Sequence, residues 1–302
     1  MLRQLEVNGS FLFFNDQHGP HTAEYYHYCC KLIVSCLESS SKKINVILGP
    51  HNPTMTNGLP VSKLDMQLEH TLVKRGGRSV DKIIESSVST DTEDDNYLVR
   101  IANYDYYKTL DGVIEYSIPN IVNMESCATR DIVDYSKKCR YIAPLLYDVD
   151  RFDESERSGV FTLFSLGASP RRDIFHHKTG VQNISNTFSS EKLKTLYYDK
   201  AILVNLHQTD HHHTFEELRV LPALSQGIVV IAEESPLKKH IPYSKSIVWS
   251  SLQEIEQTIK DVETNYEDYR NKLFTPGIRN TLAQLRKDNL LNMSNLIWQN
   301  KT

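Results

Sequence analysis

The sequence predicts an α/β fold with two Rossmann-like domains that face each other across a cleft. Two separate stretches show the order strand, helix, strand, one near the start of the chain and one over residues 201–235. Between them, residues 148–158 (DVDRFDESERS) are charged and aperiodic, as expected for a domain junction. We therefore expect domains over residues 1–150 and 151–302.

Composition narrows the class of protein. The chain has 302 residues, 40% hydrophobic and 24% charged, which suits two globular domains. A net charge of -4 argues against nucleic acid as a partner. The sequence has no run of 18 apolar residues, and its start is too polar for a signal peptide. The five cysteines lack zinc spacing and favour reduced thiols, so we expect a cytoplasmic protein, in the host cytoplasm if a virus encodes it.

The first half is predicted to begin with a strand over Phe11–Phe14, a helix from Thr22 to about Leu37 and a strand over Ile44–Leu48. Later segments of the first half are predicted as a strand over Met66–Val73, a surface loop over 87–96, and strands over Tyr97–Ala102, Gly112–Ser117 and Tyr141–Tyr147.

Candidate functional residues of the first half follow predicted strands, because ligands of open α/β sheets bind at the carboxyl ends of the strands. Asp16, His18 and His21 come directly after the first strand, and Glu69 and His70 lie near the end of the third. Several tyrosines, including Tyr116, could stack on a sugar or simply pack against the sheet. The loop at 16–21 could equally do no more than cap a helix.

The second half is predicted to open with a strand over Gly159–Leu166 and a helix that Ser169 caps, with Pro170 in its first turn. Arg171 and Arg172 stand at this helix N-terminus, where backbone N–H groups and guanidinium groups both favour phosphate oxygens. The alternative is an exposed basic pair on the helix surface.

The central unit runs from Ala201 to Ser235. A buried strand over Ala201–Val204 precedes a histidine-rich loop, and a second apolar strand covers Ile228–Ala232. Between them, Thr214 and Glu217 have the spacing of a capping box, and Gly227 ends the predicted helix. The three histidines at 211–213 do not predict a metal site, because consecutive residues of an extended loop point to alternate sides.

The end of the chain is predicted as a helix over 191–198, a strand over Ser246–Trp249 and helices over Leu252–Val262, Tyr266–Leu273 and Ile278–Trp298.

Residues 140–275 resemble the donor-binding half of glycosyltransferases with the two-domain GT-B fold. The resemblance is carried by a strand, a polar loop, an acidic helix start, the pattern L-x-x-A-L-x-x-G and a V-V-I-A-E strand. Many such enzymes have a glutamate five residues before this glycine, where this chain has Pro222. The resemblance therefore shifts the ribose-binding role to Glu217 or Glu216, a spacing similar to that of some fucosyltransferases.

The resemblance implies a metal-independent glycosyltransferase that uses a nucleotide sugar with UDP or GDP, and a last helix that crosses back to the first domain. Donor binding would fall to Arg171, Arg172, His207, Glu216, Glu217 and Arg219, and acceptor binding to His21, Glu69, His70 and Tyr116. Asp16 or His18 would act as the base if the reaction inverts the sugar. A nucleotide-sugar epimerase or hydrolase and a non-catalytic sugar-nucleotide-binding module remain as alternatives.

Overall fold

The computed structural model describes residues 2–15, 19, 22–77, 88–92, 96–148, 150–152, 157–165, 167, 169–185 and 189–299. Asp16, His18 and His21 lie outside the described residues. In chain order, the strands are β1 (Leu2–Val7), β2 (Ser10–Asn15), β3 (Asn45–Leu48), β4 (Val61–Gln67), β5 (Leu72–Lys74), β6 (Val88–Asp91), β7 (Tyr97–Ile101), β8 (Gly112–Glu115), β9 (Cys139–Tyr141), β10 (Ser158–Thr162), β11 (Gln182–Asn183), β12 (Lys200–Asn205), β13 (Val229–Glu233) and β14 (Val248–Ser250).

The helices cover both faces of these strands. They are α1 (Ala23–Glu38), α2 (Tyr104–Lys108), α3 (Ile118–Glu125), α4 (Arg130–Ser136), α5 (Pro170–Thr179), α6 (Ser190–Asp199), α7 (Glu217–Ser225), α8 (Ile255–Thr264), α9 (Tyr266–Leu273) and α10 (Pro276–Trp298), with short 3-10 helices at Lys238–His240 and Ser244–Ser246.

Two separate sheets organise the chain, which confirms the α/β class. The first has the order β1-β2-β3-β4-β8-β9 and is parallel except for β1, and the second has the order β11-β10-β12-β13-β14 and is wholly parallel. Strands β5, β7 and β6 form a small antiparallel sheet. The carboxyl ends of all parallel strands in one sheet lie at one edge, where loops can build a site.

The last helix, α10, returns to the first sheet. Its Met293, Leu296 and Ile297 are fully buried in the same core as Leu12 and Val46. Its Asn289 accepts a hydrogen bond from the Ala143 backbone at 2.7 Å. A side chain at Gly112 would collide with Leu296, so the close approach of the helix explains a glycine at the start of β8.

Several element predictions were wrong in their details. Strand β1 was missed because five of its six residues are exposed and carry no apolar periodicity. The single strand predicted over Met66–Val73 is two strands in different sheets, because the chain leaves the first sheet after Gln67. The surface loop predicted over 87–96 contains β6, which pairs with β7. The strand predicted over Tyr141–Tyr147 ends at Tyr141.

Candidate functional site

A cavity of about 300 Å³ lies between the two halves of the chain. Five of the residues singled out from the sequence line it: His70, Tyr116, Arg172, Glu216 and Arg219. Its volume is at the lower end of the range for small-molecule sites.

Both sheets present their strand ends to this cavity. From the first half, Tyr25 follows β2, His70 follows β4 and Tyr116 follows β8. From the second half, Ser165 follows β10 and Gln208 follows β12. The cavity therefore occupies the position at which open α/β sheets bind ligands.

Glu216 forms the polar centre of the cavity wall. Its Oε1 accepts a hydrogen bond from Arg172 Nη2 at 2.7 Å, and its Oε2 forms an ion pair with Arg219 Nη1. Arg219 also donates from Nη1 to Asn205 Oδ1 at 2.9 Å. We call Glu216, Arg172 and Arg219 the Glu216 cluster.

The start of α5 places Arg172 in this cluster. Ser169 caps the helix as predicted, because its side chain accepts a hydrogen bond from the Arg172 backbone N–H. The Arg172 guanidinium lies over the Phe164 ring at 4.5 Å and donates from Nε and Nη2 to the Leu206 carbonyl at 3.2 and 2.5 Å. Nη1 is left without a hydrogen bond to the described residues and is available to a ligand.

The cluster holds two guanidinium groups against one carboxylate. Burial lowers the pKa of Arg172 to about 10. Burial and then the charge of Arg172 lower the pKa of Arg219 to about 9. Both groups stay charged at neutral pH, and an anion placed beside them would offset their repulsion.

Arg171 and His207 have other partners. Arg171 forms an ion pair with Glu233 and donates to the Thr209 carbonyl at 3.3 Å. The backbone of His207 donates to the other oxygen of Glu233 at 3.0 Å, and its ring Nε2 contacts the Glu234 carbonyl at 3.0 Å. Burial lowers the pKa of His207 to about 4, so its ring is neutral. Neither residue lines the cavity.

Glu217 is fully buried and faces away from the cavity. Its Oε2 accepts hydrogen bonds from the Tyr141 and Tyr243 hydroxyls, each at 2.5 Å, and its Oε1 accepts one from the Ile118 backbone at 3.2 Å. Burial raises the pKa of Glu217 to about 7 against these donors. Because Glu216 lines the cavity and Glu217 does not, Glu216 replaces Glu217 as the candidate for ribose binding.

The predicted capping box was wrong. The helix α7 begins at Glu217, and Glu216 occupies the cap position. Thr214 instead donates to Asn120 Oδ1 at 2.8 Å and accepts from the Leu72 backbone at 3.1 Å. Its hydroxyl thus joins the two halves through a buried acceptor and a buried donor of the first half.

The histidine-rich loop has a structural role. His212 forms an antiparallel bridge with Val73 of β5. Arg100 Nη1, which can only donate, faces Nε2 of His212 at 3.4 Å, and Thr209 Oγ1 faces Nδ1 at 3.0 Å. Burial lowers the pKa of His212 to about 3, so its ring is neutral. Within the described part of the chain, no three His, Cys, Asp or Glu side chains are grouped to hold a metal ion.

His70 and Tyr116 form part of the first-half wall. The His70 ring stacks on His212 with centroids 4.7 Å apart, and its Nδ1 is buried with no hydrogen-bond partner among the described residues. Burial, and then His212, lower the pKa of His70 well below its ordinary value, so it is neutral. Glu69 is outside the cavity, with its carboxylate 3.9 Å from Arg100.

Sequence reasoning missed several lining residues, notably Glu24, Tyr25, Tyr197 and Gln208. The signal for Glu24 and Tyr25 was present, since they stand in the first turn of the helix that follows the first predicted strand. Tyr197 lies on α6, where no strand-end rule applies.

Comparison with known proteins adds a distant relative. No family model matches the chain. An uncharacterized protein of Acanthamoeba polyphaga mimivirus is 25% identical over 206 residues, which cover 56% of this chain and 74% of that protein. Among the described residues, no helix is long and apolar enough to cross a membrane.

Proposed function

We propose that this chain is a GT-B glycosyltransferase that moves a sugar from a nucleotide-sugar donor, with UDP or GDP as the nucleotide, to a hydroxyl group of a glycan or another acceptor. The observation that carries the proposal is the Glu216 cluster: a carboxylate, the buried guanidinium of Arg172 and the half-buried guanidinium of Arg219, in a cavity where strand ends of two sheets meet. A nucleotide sugar needs both kinds of group, hydrogen-bond acceptors for its ribose and cations for its diphosphate.

The architecture supports the two-domain assignment. The sheets are separate, the second is wholly parallel, and α10 returns from the second half to pack on α1 and the first sheet. We place the domain boundary near residue 150, between an acceptor domain over 1–150 and a donor domain over 151–302. Asp150 there forms a bidentate pair with Arg286 of α10 at 2.6 and 2.8 Å, which holds the junction against the returning helix.

Glu216 is the proposed ribose ligand. A carboxylate has about four lone-pair sites, and Arg172 and Arg219 occupy one on each oxygen. Oε2 is buried, so the remaining site on Oε1 is proposed for a ribose hydroxyl. Hydrogen bonds to a charged group contribute roughly 1.5–3 kcal/mol each, enough for about a tenfold effect on affinity.

Arg172 and Arg219 are the proposed diphosphate ligands. Arg172 Nη1 and Arg219 Nε and Nη2 make no hydrogen bond with the described residues, while the rest of each group is fixed by Leu206, Glu216 or Asn205. Cations held in advance of the reaction stabilise the charge of a departing diphosphate. The proposed reaction therefore has no step that requires a metal ion.

His70 and Tyr116 form the proposed acceptor side, together with His21. The base that takes the acceptor proton is proposed to be Asp16 or His18, whose loop precedes Glu24 and Tyr25 on the first-half wall. His70 is a weaker candidate for the base, because its buried Nδ1 has no partner to hold the ring in one tautomer.

A binding panel tests the donor site. Thermal shift and calorimetry with UDP, GDP and the parent nucleosides should show tighter binding of a diphosphate than of its nucleoside. Arg172→Gln should raise the dissociation constant of the diphosphate about tenfold while changing that of the nucleoside little. Arg171→Gln is the matched control, since Arg171 is the adjacent residue but pairs with Glu233 outside the cavity. Equal effects of the two variants would contradict the assignment.

Product analysis separates the alternatives. A transferase forms a new glycoside only when an acceptor is present. An epimerase or hydrolase releases nucleotide or changes the sugar without one, and a binding module does neither. If UDP, GDP and their two parent nucleosides all bind with equal affinity, or none of them binds, the proposal of a nucleotide-sugar donor site is wrong.

A further inference from the structure

Glu217 connects the two halves at the back of the cavity wall. It begins α7 in the second half, but two of its three hydrogen-bond donors, the Tyr141 hydroxyl and the Ile118 backbone, belong to the first half. The third donor, Tyr243, belongs to the second half. We call Glu217, Tyr141, Tyr243 and the Ile118 N–H the Glu217 latch. Because Glu216 is the preceding residue, the latch also fixes the polar centre of the cavity.

The histidine-rich loop that precedes Glu217 also contacts the first half of the chain. The Lys74 backbone donates to the His211 carbonyl at 2.8 Å, and the His213 backbone donates to the Leu72 carbonyl at 3.1 Å. A side chain at Gly77 would collide with the backbone of Asp210 and His211. These backbone contacts carry no titratable group, so a proton alters the junction through side chains such as Glu217.

We propose that Glu217 is a proton-controlled latch: its neutral form keeps the two halves closed on the cavity, and its ionised form makes local opening easier. The geometric basis is a carboxylate with no exposed surface that bridges the halves. If the junction opens, the carboxylate enters water, where its charged form is solvated.

The direction of the effect follows from linkage. In the closed state burial raises the pKa of Glu217 to about 7, whereas an exposed glutamate has a pKa of about 4.3. Between these values the closed state binds more protons than the open state. Rising pH therefore favours opening, and the effect levels off above the closed-state pKa.

The groups around Glu217 influence the pH range over which protonation affects the opening of the two halves. Burial raises the pKa of Glu115 on β8 to about 8, with a smaller contribution from Glu217, so Glu115 acts in the same direction. In the closed state His207, His212 and His213 are neutral, because burial lowers their pKa values to about 3 or 4. An exposed histidine has a pKa of about 6.5, so any of them that opening exposes binds protons at low pH and opposes the effect of Glu217. The charged and titratable groups that face Glu217 from neighbouring elements are Tyr141, Tyr243, Glu115 and Tyr116.

Amide hydrogen exchange measures the opening in the ligand-free protein. The Ile118 amide donates directly to Glu217, so its protection reports the latch. After correction for intrinsic exchange, the ratio of its protection in the wild type to that in Glu217→Gln should fall roughly tenfold or more between about pH 5.5 and 8. Val46, at the buried centre of the first sheet, should change far less, because its exchange requires the sheet to open.

Variants make the test specific. Glu217→Gln stays neutral, so it removes the contribution of Glu217 and leaves only the pH dependence that Glu115 and the histidines give. Glu263→Gln, an exposed change on α8, should behave as the wild type. Tyr141→Phe removes a donor that favours the charged form, so it should move the transition to higher pH. The proposal is overturned if Glu217→Gln keeps the wild-type slope, or if Val46 and Ile118 lose protection equally. None of these readouts depends on the ligand.

Discussion

Glu216 and Glu217 are adjacent in the chain but serve two different regions. Glu216 lies on the charged wall that the second half contributes to the cavity, and it pairs with two arginines of that same half. Glu217 is closed off and held by neutral donors from both halves. Glu216 has the non-helical backbone of a cap residue and Glu217 is the first residue of α7, so one step along the chain separates a side chain on the cavity wall from one at the contact between the halves.

Arg171 and Arg172 at the start of α5 show the same contrast between adjacent residues. Arg172 faces the cavity, and Arg171 pairs with Glu233 to support the loop that carries His207. A charged pair at a helix N-terminus thus supplies one residue to the cavity and one to its support. Variants of the two regions should therefore differ in what they change.

The largest expected effect is on the cavity side. Glu216→Ala leaves the buried guanidinium of Arg172 and the half-buried guanidinium of Arg219 without their carboxylate. It should lower the free energy of unfolding by about 3–5 kcal/mol, measured by urea denaturation. Inorganic pyrophosphate should restore part of that loss by offsetting the charge. The control is Glu234→Ala, whose exposed ion pair with Lys238 should contribute less than about 1 kcal/mol. Equal losses in both variants would show that the Glu216 cluster is not a coupled ionic unit.

The contribution of the Glu217 latch to stability should depend on pH. Because the folded pKa of Glu217 is raised to about 7, its neutral form is favoured by folding below that pH, and this contribution is lost as the pH rises from about 4.3 to 7. Relative to Glu217→Gln, the wild type should lose on the order of 2–3 kcal/mol of stability between about pH 5 and 8. Parallel stability curves for the two proteins would contradict a buried, titrating Glu217.

A smaller effect is expected from one donor of the latch. Tyr243→Phe removes a hydroxyl that donates to Glu217 at 2.5 Å and should lower the free energy of unfolding by about 1.5 kcal/mol at pH 8. Tyr269→Phe is the matched control, since its hydroxyl bonds to Asp261 at the surface and should matter less. If the two variants are equally stable, the hydrogen bonds of the latch do not hold the junction.

The parts of the fold that could be predicted have strong local patterns. Helix α9 was predicted with its bounds, and α1 and α10 to within two residues, because apolar spacing and terminal signals coincide there. Ser169 was a correct cap because its partner is three residues away. Strand β1 and the break after Gln67 depend on pairing with distant strands, which no local pattern records.

The site residues also divide into those that a local pattern predicts and those that contacts with distant residues decide. Strand-end reasoning led to His70, the stacking of tyrosines to Tyr116, a helix N-terminus to Arg172, and the GT-B resemblance to Glu216 and Arg219. The fold brings all five to one cavity. The sequence could not decide between Glu216 and Glu217, because Thr214 has the spacing of a cap but finds buried partners in the first half instead. Whether Asp16, His18 and His21 join the cavity stays a prediction.

Nucleotide affinity in two single variants tests the central claim, that Glu216 binds the ribose and Glu217 only holds the halves. The dissociation constant of UDP or GDP should be measured by calorimetry near pH 6, where Glu217 is mainly neutral and Gln is a close substitute. We expect Glu216→Gln to raise it about tenfold or more and Glu217→Gln to change it less than about threefold. The reverse order, with the larger loss in Glu217→Gln, would contradict the claim.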